Sequence, residues 1–193
     1  MPRFGSVLPP VVAAALALAV LTGCTPDDEV APPTAAPTGE PSAEPTSEPT
    51  DQPVGTAIDA TCAELVSADT LYVYNPNFGP VDGYTPAAGS AAASALTYRG
   101  VACRWQNQTN GQNIDVSVAQ LDDESLTALK NAAYADSEMV PTYGDEAYFG
   151  VSGGVGTAQV FQGPYWIVAE SVAFFEPGDA TEIIDSVIAG LGA

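Results

Sequence analysis

Side chains that drive bond-making chemistry are scarce in this sequence. Its 193 residues include 24 carboxylates and three cysteines but only four lysines and arginines together, and no histidine. Beyond Arg3 the only cations are Arg99, Arg104 and Lys130, so the usual nucleophile and base pairs cannot be assembled. A zinc site lacking both histidine and a spare thiol would have to rest on carboxylates, which suit calcium or magnesium better. Asp136, Glu138, Asp145 and Glu146 lie close in sequence, yet their spacing matches no calcium loop, and a solvated turn accounts for them. No catalytic residue, metal or cofactor is expected. Two carboxylates alone can hydrolyse a glycoside, one as acid and the other as nucleophile or base, and such a pair would line one cleft at roughly 5 to 10 Å separation.

Binding has a better candidate than catalysis. From Tyr72 to Ser94, the aromatic residues Tyr72, Tyr74, Phe78 and Tyr84 are interleaved with Asn75, Pro76, Asn77, Gly79, Pro80, Asp82 and Gly83. Long loops of this composition are uncommon in compact domains and are often functional. Aromatic faces on such a loop would form a platform for a sugar, a peptide or an apolar ligand. The alternative is that the same rings simply cover one face of a sheet.

The cysteines point to a compartment. Arg3, the unbroken apolar run Val11 to Leu21 and the small residues after it have the layout of a secretory signal. The run is shorter than the roughly 20 apolar residues needed to span a bilayer. Leu21, Thr22, Gly23 and Cys24 resemble the lipobox of bacterial lipoproteins, which implies cleavage before Cys24 and acylation of its thiol. In an oxidising compartment the two remaining cysteines, Cys62 and Cys103, pair naturally and leave Cys24 as the odd one. The bridge is expected to be structural, because a redox-active pair usually wants closely spaced thiols. Two acyl chains, at roughly 0.8 kcal/mol per buried methylene, make a stable anchor.

All 24 carboxylates follow the signal, where they meet three cations and leave a mature net charge of −21. Such a surface repels phosphate backbones and anionic headgroups, so no nucleic acid partner is expected. Residues 25–53 are rich in Pro, Thr, Ser, Ala and Glu, with seven carboxylates, no cation and no aromatic, a composition that cannot bury a core. They read as a tether averaging roughly 30 Å end to end as a coil and reaching about 90 Å if polyproline-like. The organisation is therefore a signal peptide over 1–23, a lipidated Cys24 with its tether over 24–53, and one globular domain over 54–193.

Within that domain, Thr61 to Glu64 forms a capping box that opens a short helix from about Cys62 to Asp69. Val101, Cys103 and Trp105 alternate on a strand over Tyr98 to Gln106, and Ile114, Val116 and Val118 on a second over Asn113 to Leu121. The Asn107 to Gln112 link makes the two a hairpin, and its Asn107-Gln108-Thr109 match to a glycosylation acceptor is read as chance. Asp122, Asp123 and Glu124 open a helix with Leu126, Leu129, Ala132 and Ala133 as its apolar stripe. Further strands are expected over Ala147 to Val151, Val155 to Gln162 and Tyr165 to Phe174. The last is apolar enough for a central strand covered on both faces, with Glu170 the exception. Asp179 caps a closing helix that buries Ile183, Ile184, Val187, Ile188 and Leu191. The order implies an α+β domain: an antiparallel sheet of about five strands, three flanking helices and one disulfide.

The lipobox, the acidic Pro/Thr tether, the helix-borne cysteine, Cys103-Arg104-Trp105 and Gly144-Asp145-Glu146-Ala147 together resemble small actinobacterial lipoproteins of unknown function. That resemblance covers most of the domain and implies a PsbP-like fold, an antiparallel sheet flanked by helices, with no catalytic residues to carry over. The functional expectation is an extracytoplasmic lipoprotein, anchored to membrane lipid through acylated Cys24, acting as a binding module for an envelope protein, a glycan or a small ligand. The alternatives are an envelope enzyme using a carboxylate pair on glycan, and a lipid carrier with a deep apolar cavity between sheet and helices.

Overall fold

A computed structural model describes residues 55–193. The signal, Cys24 and the tether lie outside the described residues. The domain is α+β, with five α-helices and a seven-stranded antiparallel sheet. In chain order these are α1 (Cys62–Leu65), α2 (Ala68–Tyr74), β1 (Phe78–Pro80), α3 (Ala91–Thr97), β2 (Val101–Asn107), β3 (Asn113–Gln120), α4 (Asp123–Asp136), β4 (Glu138–Met139), β5 (Glu146–Ser152), β6 (Val155–Gln162), β7 (Tyr165–Ser171) and α5 (Thr181–Leu191). A 3-10 turn, Pro177–Ala180, precedes α5. The strands lie in the order β1-β2-β3-β7-β6-β5-β4, so the two halves of the chain meet where β3 pairs with β7.

The expectation of about five strands and three helices is corrected to seven and five. β1 and β4 have three and two residues, too few to show alternation. α2 and α3 have seven residues each and are held by capping serines: Ser67 accepts from the Thr70 N–H and Ser90 from the Ala93 N–H. The helix expected to run from Cys62 to Asp69 breaks at Val66, which is extended, before Ser67 starts the next one. The Tyr72 to Ser94 segment, expected to be a loop, thus contains the end of α2, all of β1 and the start of α3. β7 stops at Ser171, whose hydroxyl takes the Ala173 N–H and turns the chain, leaving Phe174 to fold back into the core. Asp179 does not cap α5; it closes the preceding turn, accepting from the Phe175 and Glu176 N–H groups. Ala132 faces water, and the buried stripe of α4 is Leu126 and Ala133.

Alternation sorts the strands onto two faces. On the first, Cys103, Trp105, Ile114, Val116, Val118, Val160 and Ile167 join Phe174 and the buried side of α5 in the main core. Val101, Cys103 and Trp105 stand opposite Val118, Val116 and Ile114, the hairpin that their spacing predicts. The Cys62–Cys103 disulfide, with Cα atoms 5.6 Å apart, pins α1 to β2 on this face. Helix α5 approaches α1 closely because position 190 is glycine, where a Cβ would meet the Glu64 carbonyl. On the second face, α3 and α4 bury a smaller cluster around Leu126, Phe161, Trp166 and Val168. β7 is therefore covered on both faces from Trp166 to Ala169.

Candidate functional site

The second face changes character along its strands. At one end it is apolar and roofed by α3 and α4; two residues further along each strand it becomes a polar row. Register fixes that row: Arg104 on β2 stands opposite Asp115 on β3, Asp115 opposite Glu170 on β7, Glu170 opposite Thr157 on β6, and Thr157 opposite Gly150 on β5. Directly opposed residues have Cβ atoms about 5 Å apart, so four adjacent strands set the side chains of Arg104, Asp115, Glu170 and Thr157 side by side, and the row ends at the glycine on β5. Arg104, Asp115 and Glu170 line one open cleft of about 420 Å³, whose far wall is the β2–β3 hairpin loop from Asn110 to Asn113.

The row is a chain of paired groups with two loose ends. Arg104 donates from Nε to Asp115 Oδ1 and from Nη2 to Asp115 Oδ2, both at 2.5 Å, a bidentate pair. Tyr84 lies under the guanidinium, 4.2 Å from its ring centroid, and donates its hydroxyl to Asp115 Oδ2 at 3.2 Å. The hydrogen bonds to Asp115 hold the guanidinium even more firmly protonated. Burial, then the Asp115 charge, lift the Tyr84 phenol above its ordinary range. Glu170 Oε1 accepts from the Thr157 hydroxyl at 3.3 Å. Burial is the main force raising the Glu170 carboxyl above the usual carboxylate range, with the neighbouring Asp115 charge adding to it. Among the described residues, Arg104 Nη1 and Glu170 Oε2 form no hydrogen bond with the protein, which leaves donors and an acceptor on two residues that line the cleft on either side of Asp115.

The four aromatics read as a platform do not come together. Tyr72 is 73% exposed on α2. Tyr74 and Phe78 meet at a tilt, with ring centroids 5.9 Å apart, against the main core. Tyr84 alone reaches the second face, where it meets Arg104. Sequence alternation put Val101, Cys103, Trp105 and Ile114, Val116, Val118 on one face, which leaves Arg104 and Asp115 on the other, and marked Glu170 as the exception in an apolar run, but singled out none of the three as a site residue. It did not show that the three are neighbours, because only the β3–β7 pairing places them so.

The other chemically suggestive residues have structural tasks. Glu146 takes the Lys130 ammonium at 2.9 Å and the Tyr148 hydroxyl at 2.6 Å. The hydrogen bond from Tyr148 is the larger cause of the lowered Glu146 value, and it holds the Tyr148 phenol up to about 12. Asp145 accepts from the Gly163 N–H of the β6–β7 turn, and Gly144, at φ 66°, lies where a Cβ would strike Val160. Asn107 is 4% exposed and spends its carbonyl on the Thr109 and Asn110 N–H groups, so it is closed to a sugar. Among the described residues no three His, Cys, Asp or Glu side chains could hold a metal ion, and no helix is long and apolar enough to cross a membrane. Against protein-family models, curated proteins and solved structures alike, the chain has no match.

Proposed function

We propose that this chain is an extracytoplasmic bacterial lipoprotein, held at the membrane by acylated Cys24, whose domain binds a hydroxyl-rich ligand of the cell envelope in the Arg104–Asp115–Glu170 cleft. The observation that carries the binding site is the uncovered polar row. Charges from three adjacent strands, Arg104, Asp115 and Glu170, lie in a partly buried position with the Arg104 Nη1 donors and the Glu170 Oε2 acceptor unused. A ligand hydroxyl both donates and accepts, so a polyol or sugar satisfies both ends at once. The secretory layout of residues 1–23, the lipobox-like Leu21 to Cys24 and the Cys62–Cys103 bridge, which suits an oxidising compartment, support the location. The likeness to small actinobacterial lipoproteins belongs to the same reading.

Calorimetric titration of the full chain with soluble oligosaccharides of envelope glycan tests the site. Saturable binding is expected, weakened about tenfold in Glu170→Ala, the loss of one charge-assisted hydrogen bond. An affinity indifferent to that change would sink the assignment. One observation favours a second reading, hydrolysis: the Glu170 carboxyl, raised by burial, stands beside the Arg104-paired carboxylate of Asp115, the arrangement of acid and nucleophile. Both Asp115 oxygens are already held by Arg104 and Tyr84, which makes Asp115 a poor nucleophile and favours binding. Release of reducing ends from the same oligosaccharides, abolished by Glu170→Gln, would reverse that preference.

A further inference from the structure

At the far edge of the sheet, beyond Gly150 where the polar row ends, a groove of about 760 Å³ runs between β4 and the segment leading into α5. It combines three features rarely left together in water. Met139, Val151 and Phe175 line it and are 62%, 54% and 76% exposed. Its rim carries Asp136, Glu138 and Glu176. The third feature is the backbone of β4, which ends the sheet. Glu138 stands opposite Phe149 and the Val140 N–H bonds the Ala147 carbonyl. Antiparallel ladders alternate, so the intervening Met139 turns its own N–H and C=O outward, off the edge.

An unpaired edge beside exposed apolar side chains fits an added strand, with main-chain hydrogen bonds giving affinity and alternate side chains filling the groove. The acid rim selects the occupant by charge. A second copy of this chain brings a mature net charge of −21, and residues 25–53 bring seven carboxylates and no cation; both are repelled, as is an anionic bilayer. We propose that this groove docks an extended, apolar segment of a partner protein that carries interspersed Lys or Arg, pairing with β4 and resting on Met139, Val151 and Phe175. The site is separate from the polar cleft and does not depend on it.

The test is fluorescence anisotropy of a labelled peptide of alternating Lys and Val, titrated with the full chain. A Kd near 10 µM, on the order of −7 kcal/mol, is expected. Screening should weaken it about tenfold between roughly 50 and 500 mM salt. Phe175→Ser and Glu176→Lys, both at the surface and outside the core, should each weaken binding at least about fivefold, while Tyr72→Ser, elsewhere on the surface, leaves it unchanged. Equal binding of the peptide with Glu in place of Lys would overturn the proposal, as would indifference to Phe175→Ser. Self-association in sedimentation that Phe175→Ser abolishes would give the groove to a second copy instead. Loss of binding to phosphatidylglycerol vesicles in that variant, with peptide affinity intact, would give it to the membrane.

Discussion

Glu170 shows how one residue can serve a site at some cost to the fold. Its carboxyl is raised by burial and, to a lesser degree, by Asp115. The folded domain therefore holds that proton to a higher pH than the unfolded chain does. Stability from the protonated form is complete below the unfolded value of about 4.3 and is lost as the pH rises through the folded one. At pH 7 the ionised carboxylate is a burden, and Glu170→Gln should raise the melting temperature there, with the gain gone near pH 3.5. Paired thermal melts at the two pH values check this; a variant less stable than the parent at pH 7 would refute it. Glu146 has the opposite sign. Its lowered value, set first by Tyr148 and then by Lys130, contributes stability above the unfolded range that is lost as the pH falls.

At the scale of elements, glycine positions decide which segments can touch. A Cβ at Gly156 on β6 would run into the Phe174 carbonyl, and Phe174 is fully buried in the main core. Gly156→Ala should therefore cost about 1 to 3 kcal/mol by overpacking, measurable as a lower urea midpoint, and an unchanged midpoint would mean that the turn after β7 yields freely. The long elements were legible from sequence: β2 and β3 follow their alternation, β7 its nearly continuous apolar run and α5 its stripe, while α4 forms where expected with a narrower buried side. α2, α3, β1 and β4 were not, because elements of two to seven residues owe their existence to what they pack against. Part of the candidate site was legible for a similar reason. Only Glu170 stood out, as the exception in an apolar run, and its adjacency to Asp115 and Arg104 comes from a non-local pairing that no local pattern encodes.

For the molecule as a whole, the disulfide bears on endurance and the proposed acylation of Cys24 on attachment. The Cys62–Cys103 bridge closes a loop of 41 residues, worth about 4 kcal/mol in the chain-entropy account. Reduction should lower the melting temperature by about 10 °C for a domain this size; an unchanged midpoint in reductant, with both thiols alkylated, would deny the bridge its stabilising role. Cys24→Ala should release the protein from membranes into the medium or block its processing, and continued tight membrane association would refute the anchor.

The seam between β3 and β7 has a consequence for how such a chain is made. Ile114 must wait for Ser171 and Gln120 for Tyr165, so the β7-facing edge of β3 stays unmatched until the chain through Ser171 has emerged. Distant partners fold slowly. On the proposed export route, a precursor threaded through a translocation pore before folding gains from that delay, because β7, the strand that locks onto β3, comes only after α4 and β4 to β6.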